Sequence, residues 1–253
     1  MKITFLGTGT SQGIPVIGCK CEVCSSVDYR DNRLRSSILV EIDGTHIVVD
    51  TGPDFRQQML RERVDKLDAV LFTHAHKDHV AGLDDIRSFN FLQKKDMPIY
   101  ATSHVLGRLK QEFSYIFEDS KYPGVPRVDT NPIENETFQI NGIDIQPIEV
   151  MHYKLPVLGF RFGDFTYITD ANHIAEEEKE KIKGSKILVL NALQKKSHIS
   201  HFNLEEALEL IEELKPEKGY LTHIGHFMGT HFAVSKELPE NVEIAWDGLK
   251  LVI

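Results

Sequence analysis

The chain has 253 residues, 41% of them hydrophobic and 26% charged, with a net charge of −9 and a pI near 5.7. It is long enough to bury a substantial core, and no apolar run approaches the roughly 18 residues a membrane span needs. The acidic balance, with no long Lys/Arg run, disfavours a large nucleic-acid partner, because such proteins usually meet phosphates with a basic face.

The N-terminus "MKITFLGTGT" reads as a short strand breaking into a Gly/Thr turn. Its apolar run is too short for a secretory leader, so the expectation is a cytoplasmic protein with reduced thiols and no membrane contact. All three cysteines, Cys19, Cys21 and Cys24, fall in "GCKCEVC". Three is one short of a tetrahedral zinc site, and an odd count does not close into disulfides. A metal knuckle missing a member, a redox motif and a coincidence all stay open on these residues alone.

Four segments place a two-residue turn between β-rich runs: "SSILVEI-DG-THIVVD", "TFQI-NG-IDIQPIEV", "GFRF-GD-FTYITD" and "EIAW-DG-LKLVI". Asn-Gly and Asp-Gly supply the positive φ that tight hairpin turns demand, so each predicts a hairpin. Further strands are expected over 69–73, 98–102, 186–193 and 219–224. Helices are expected over 54–62, 82–93, 103–117 and 203–214. The last carries Asn203 as a cap, Glu206 three residues on, and Leu204, Leu208, Ile211 and Leu214 on one face. Residues 118–137, with three prolines, read as a long loop. Strands alternating with helices yet rich in hairpins imply layered mixed sheets in one α/β domain spanning 1–253.

After the strand "AVLFT" comes "HAHKDH", which holds His74, His76, Asp78 and His79. A buried strand delivers this group to a sheet end, where the turning chain fans the side chains together. Imidazole and carboxylate are the donors a borderline divalent metal takes. Metal binding is therefore the first functional expectation.

The motif resembles the H-x-H-x-D-H of the metallo-β-lactamase superfamily, which implies an αββα sandwich of two mixed sheets flanked by helices. That resemblance also implies three further ligands at strand ends: His152 closes "IEVMH", Asp170 closes "FTYITD" and His223 closes "GYLTH". In the pattern of the superfamily, His74, His76 and His152 hold one ion, Asp78, His79 and His223 hold a second, and Asp170 bridges them. Asp50, in "IVVDTG", is expected to orient a ligand histidine through the ring's other nitrogen. A plain turn-initiating role for it is the alternative.

"GTGTSQGIPVIGCKCEVC" resembles the start of the PhnP-like family of phosphoribosyl cyclic phosphodiesterases, and "DTGPDFRQQ", "LTHIGH" and "WDGLKL" extend the likeness along the chain. This implies a structural zinc on Cys19, Cys21, Cys24 and His226, with two further Zn or Mn ions at the active site. It also implies hydrolysis of a small cyclic phosphodiester, with water activated by two metals attacking phosphorus. Asp78 and His201 are then the catalytic residues, His201 giving the leaving oxygen its proton. His198 is the alternative for that task. Arg33, Arg35 and Arg56 are either phosphate clamps or ordinary arginines. The cysteine pattern is shared with PqqB-like cofactor-biosynthesis proteins, which are the rival reading. The 17 residues between His152 and Asp170 leave no room for the substrate-gripping arm of tRNA 3′-end endonucleases, which disfavours that activity. A homodimer is compatible with the sequence, which does not itself set the oligomeric state.

Overall fold

The computed structural model describes residues 1–118 and 122–253. In chain order its strands are β1 (Lys2–Gly7), β2 (Ser37–Ile42), β3 (Thr45–Val49), β4 (Ala69–Leu71), β5 (Met97–Ala101), β6 (Val128–Pro132), β7 (Phe138–Ile140), β8 (Ile143–His152), β9 (Leu155–Phe162), β10 (Phe165–Tyr167), β11 (Ile187–Asn191), β12 (Lys218–Thr222), β13 (Val242–Ile244) and β14 (Lys250–Val252). They form two seven-stranded sheets, ordered β14-β1-β2-β3-β4-β5-β6 and β13-β12-β11-β10-β9-β8-β7. Both are mixed, with hairpin pairs running antiparallel and crossover pairs parallel. The chain divides into two compact units, each built on one sheet.

The first unit comprises Met1–Leu6, Ser37–Glu134 and Lys250–Ile253. It carries α1 (Phe55–Glu62), α2 (Lys77–Val80), α3 (Arg87–Gln93), α4 (Ser103–Glu112) and α5 (Ser114–Phe117). Its core joins Leu39, Val48 and Val70 of the sheet to Phe55, Phe89 and Leu109 of the helices. The helix expected over 103–117 breaks at Phe113, which leaves helical angles and buries its ring. In the expected loop 118–137, residues 119–121 lie outside the described residues. Its later part contains β6, which the prolines disguise: Pro132 is tolerated because β6 is an edge strand.

The second unit comprises Gly7–Ser36 and Asn135–Leu249. It carries α6 (Glu176–Ile182), α7 (Leu204–Leu214) and α8 (His231–Ser235). On α7 the capping box forms as read: Asn203 accepts from the Glu206 N–H and Glu206 accepts from the Asn203 N–H. Leu204, Ala207, Leu210, Ile211 and Leu214 then pack on strands that include Leu188, Leu190 and Leu221.

Three of the four predicted hairpins form at their expected turns. "EIAW-DG-LKLVI" does not. Its first half, β13, runs parallel to β12, while β14 pairs antiparallel with β1 in the other sheet. Asp247 is not free to serve as a simple turn residue, because its carboxylate accepts from Thr8 Oγ1 and the Leu34 N–H, both at 2.8 Å. Among the described residues no helix is long and apolar enough to cross a membrane.

Close backbone approach positions the metal-motif helix. Gly82, just after α2, donates to Thr51 O at 2.8 Å, and a Cβ there would stand 2.2 Å from Gly52 O and 2.8 Å from Phe55 Cβ. Neither neighbour can yield, since one is backbone and the other is rooted in a buried ring. Gly82→Ala is expected to destabilise the protein by about 2–3 kcal/mol through overpacking, read as a lower urea midpoint with unchanged slope.

Candidate metal centre

In the first unit, β4 ends at Leu71 and "THAHKDH" turns into the short helix α2, with His76 at its N-cap. Thr73 links the turn to Asp50, which follows β3 and is fully buried. The Asp50 carboxylate accepts from the Thr73 N–H (2.9 Å), Thr73 Oγ1 (2.9 Å) and His79 Nδ1 (2.7 Å). Burial pushes its pKa up, while His79 and Thr73 pull against that. Thr73 Oγ1, having donated to Asp50, accepts from His74 Nδ1 at 2.9 Å. Both rings thus have Nδ1 engaged on the protein side, which makes Nε2 their ligand atom. His79 Nε2 lies 3.2 Å from Asp78 Oδ2, close to the roughly 3.3 Å expected for two donors on one tetrahedral ion with bonds near 2.0–2.1 Å. The His74 ring stands 4.5 Å from that of His76 and 4.3 Å from that of His79.

The second unit brings together the other predicted residues. His152 is the last residue of β8, and its Nδ1 donates to Ser200 O at 2.8 Å, again turning Nε2 outward. Asp170, three residues past β10, presents its two oxygens to different imidazoles. Oδ1 is 3.2 Å from His201 Nε2, and Oδ2 is 3.3 Å from His223 Nδ1. His223 directly follows β12, and its Nε2 lies 3.1 Å from Thr10 Oγ1. His152, Asp170 and His201 offer donor atoms within 4.8 Å of one another. Asp50, Asp170 and His223 all hold positive φ, at 66°, 58° and 56°. Left-handed backbone at three site residues re-aims side chains that an extended strand would send across the sheet.

His201 is buried and stacks on His223, with ring centroids 5.0 Å apart and planes 13° apart. His198 stands behind it and more exposed, its Nδ1 3.2 Å from His201 Nδ1. Desolvation, then the neighbouring His201, lowers the His198 pKa. Of the two alternatives for proton donor, His201 is the one that faces Asp170.

The cysteines converge in the second unit on one imidazole nitrogen. Cys19, Cys21 and Cys24 Sγ lie 3.4, 3.5 and 3.5 Å from His226 Nδ1. With Zn–S near 2.3 Å and Zn–N near 2.0 Å, tetrahedral angles place sulfur and nitrogen about 3.5 Å apart, so the donors fit a closed zinc site. The Val16 and Cys24 backbone N–H groups donate to Cys24 and Cys21 sulfur. The Cys24 N–H, then His226, holds the Cys21 thiol down to about 6 against desolvation, and desolvation pushes Cys24 up to about 11. The same loop is tied to the strand end of His223, since Thr10 N–H donates to Ile224 O and Ile224 N–H to Thr8 O.

Four positions escaped the sequence reading. Thr73 and Thr10 are small hydroxyl residues inside motifs, and Asn191 and Asn172 sit in a strand and a loop. Asn191 clamps Ala171 from both sides, accepting its N–H at 2.7 Å and donating to its carbonyl at 2.9 Å. Nothing in a single sequence marks such residues, because their partners are distant in the chain. Arg33 is buried, and its donors go to Thr8 Oγ1, Ala245 O and His231 Nδ1. Burial pushes its pKa down to about 10. It braces the N-terminal loop and offers no phosphate clamp. Arg35 donates to Ser11 O, and Arg56 lies on the exposed side of α1.

Comparison with known proteins identifies the family. The family described as "Beta-lactamase superfamily domain" matches residues 45–224. An octanoyltransferase of Porphyromonas gingivalis (strain ATCC BAA-308 / W83) is 38% identical over 256 residues, covering 100% of this chain and 52% of that protein, so the chain spans about half its length. Coenzyme PQQ synthesis protein B of Methylorubrum extorquens (strain PA1) is 34% identical over 120 residues, 42% of this chain and 38% of that one. Among solved structures, a diphosphatase from the PhnP family superposes with TM-score 0.93 at 39% identity, covering 100% of this chain and 97% of the other. Zinc-bound PqqB from Methylobacterium extorquens superposes at 0.79 over 100% of both chains, at 22% identity, a likeness of fold alone.

The chain belongs to the metallo-β-lactamase superfamily and has its fold, two mixed sheets flanked by helices. That fold presents clusters of His and Asp donors of the kind that hold divalent metal ions. Within the superfamily it is PhnP-like.

Proposed function

We propose that this chain is a dinuclear metal-dependent phosphodiesterase acting on small cyclic phosphodiesters, of the ribose 1,2-cyclic phosphate or 2′,3′-cyclic nucleotide type. In this reading His74, His76 and His152 would hold one divalent ion, Asp78, His79 and His223 would hold the other, and Asp170 would serve both. The ligand set suits Zn²⁺ or Mn²⁺. Cys19, Cys21, Cys24 and His226 hold a further structural zinc. In this reading residues 1–253 act as a single cytoplasmic domain whose partner is the small phosphodiester, not a large nucleic acid.

The observation that carries the reading is Asp170, whose Oδ2 stands 3.3 Å from His223 Nδ1, near the spacing of two donors on one ion, while its Oδ1 lies 3.2 Å from His201 Nε2. The 39% identity to a PhnP-family diphosphatase supports chemistry at phosphorus. When bound, a metal pair lowers the pKa of a water toward neutrality and offsets charge on the phosphoryl oxygens. The chain's own residues do the rest. Asp50 fixes His79, and Ser200 O fixes His152. His201 Nε2, steadied by Asp170 Oδ1, gives a proton to the departing sugar oxygen, and Asp78 assists.

The test is elemental analysis of the purified protein joined to turnover of cyclic and linear phosphodiesters and of diphosphates. Hydrolysis of a cyclic phosphodiester, abolished by chelation and restored by Zn²⁺ or Mn²⁺, is expected; no phosphodiester turnover by metal-replete protein would overturn the reading. His201→Asn should cut turnover of 2′,3′-cyclic AMP by about 100-fold or more while sparing much of the activity on bis(p-nitrophenyl) phosphate, whose leaving group needs little protonation. Equal losses on both substrates would remove His201 from that role. The 34% identity to PqqB over part of the chain favours one rival, a cofactor-biosynthesis role, which predicts binding of a peptide-derived intermediate and no phosphodiesterase activity.

A further inference from the structure

Nine residues other than glycine hold positive φ among the described residues. Arg63, Lys94 and Lys215 end helices α1, α3 and α7, where left-handed caps are ordinary. Asp43 and Asn141 open hairpin turns, which suits Asp and Asn. Asp50, Asp170 and His223 belong to the candidate metal centre. The ninth is Tyr153, with φ 59°.

Tyr153 and Lys154 form the two-residue turn between β8 and β9, closed by the His152–Leu155 pair. The next hairpin in the sheet, β9 to β10, places Gly163 at the equivalent position with φ 56°. A bulky residue is disfavoured there, and the other hairpins use Asp-Gly, Asn-Gly and Gly-Asp. Turn chemistry therefore does not explain the tyrosine. It is held in place by Asn172, which accepts the Tyr153 N–H at 2.7 Å, donates its own N–H to Met151 O at 2.8 Å, and donates from Nδ2 to Ile199 O at 3.1 Å. Asn172 thereby ties together the turns that carry His152, Asp170 and His201. The tyrosine ring is half exposed, and Lys154 Nζ stands 5.3 Å from its centroid.

We propose that Tyr153 and Lys154 form a recognition element for a nucleotide. The base stacks on the exposed tyrosine ring, and the lysine ammonium meets a phosphate at the rim beside His152. This rests on the phosphodiesterase reading and narrows its substrates from base-free sugar phosphates to base-bearing nucleotides. Strain at Tyr153 is tolerated because it aims the ring, as strained backbone does at ligand clamps. Base–aromatic stacking corresponds to roughly 5- to 100-fold in affinity.

The experiment compares binding of adenosine 5′-monophosphate and ribose 5-phosphate to the metal-replete protein by calorimetry, alongside 2′,3′-cyclic AMP turnover. Wild-type protein should bind adenosine 5′-monophosphate about 10-fold or more tighter than ribose 5-phosphate. Tyr153→Asn should erase that difference and raise KM for 2′,3′-cyclic AMP, with the loss on KM and not on kcat. Tyr153→Phe should keep the preference. Because Asn fits the turn, Tyr153→Asn should melt no lower than wild type, which separates lost recognition from lost folding. A preference that survives in Tyr153→Asn, no preference in wild type, or binding of neither probe would overturn the proposal. Absent phosphodiester turnover with the preference intact would instead sink the hydrolase reading and leave the recognition element standing.

Discussion

Replacing Asp170 by Asn is expected to lower turnover of bis(p-nitrophenyl) phosphate by about 100-fold or more, because a neutral amide can neither share a charge between two ions nor help acidify a water. The substitution keeps side-chain shape, and Asn tolerates the left-handed backbone that Asp170 adopts at φ 58°. Asn191 continues to clamp the adjacent Ala171. The fold should therefore survive, and the loss should appear in metal content as well as rate, by about one ion per chain. Far-ultraviolet circular dichroism and elemental analysis on the same sample separate these effects. Wild-type turnover in Asp170→Asn would sink the two-metal assignment.

Cys21→Ser should remove about one zinc per chain and lower the melting temperature by about 5 °C or more, since a structural zinc contributes its binding energy to folding. Serine offers neither the soft thiolate nor the sulfur that accepts from the Cys24 N–H. The consequence reaches beyond the knuckle, because the same N-terminal segment carries Thr10, which touches His223 Nε2, and is paired with Ile224. Activity should fall less than stability, as the predicted active-site ligands are all retained. Unchanged zinc content and an unchanged melting temperature would reduce "GCKCEVC" to a coincidence.

Much of this was legible before the structure, for identifiable reasons. "HAHKDH" announces metal because its donors are local and dense. The hairpins at Asp43, Asn141 and Gly163 form where turn residues demand positive φ, and that demand is set within the dipeptide. The α7 capping box is likewise contained in four consecutive residues. The same local reasoning failed at Asp247-Gly248, where β13 and β14 join different sheets and Asp247 is taken up by Thr8 and Leu34. It also missed β6, because prolines argue against a strand until its edge position is known.

By itself the sequence determined the donor types, their strand-end placement and the local turns and caps, since each depends on residues a few positions apart. Only the tertiary structure decided that Cys19, Cys21 and Cys24 meet His226 Nδ1, that His201 and not His198 faces Asp170, and that Thr73, Asn172 and Asn191 hold the site. Those facts depend on contacts up to more than two hundred residues apart, such as the 207-residue separation of Cys19 and His226. Such contacts follow from how strands register within a sheet and how buried polar groups find partners, which no local pattern encodes.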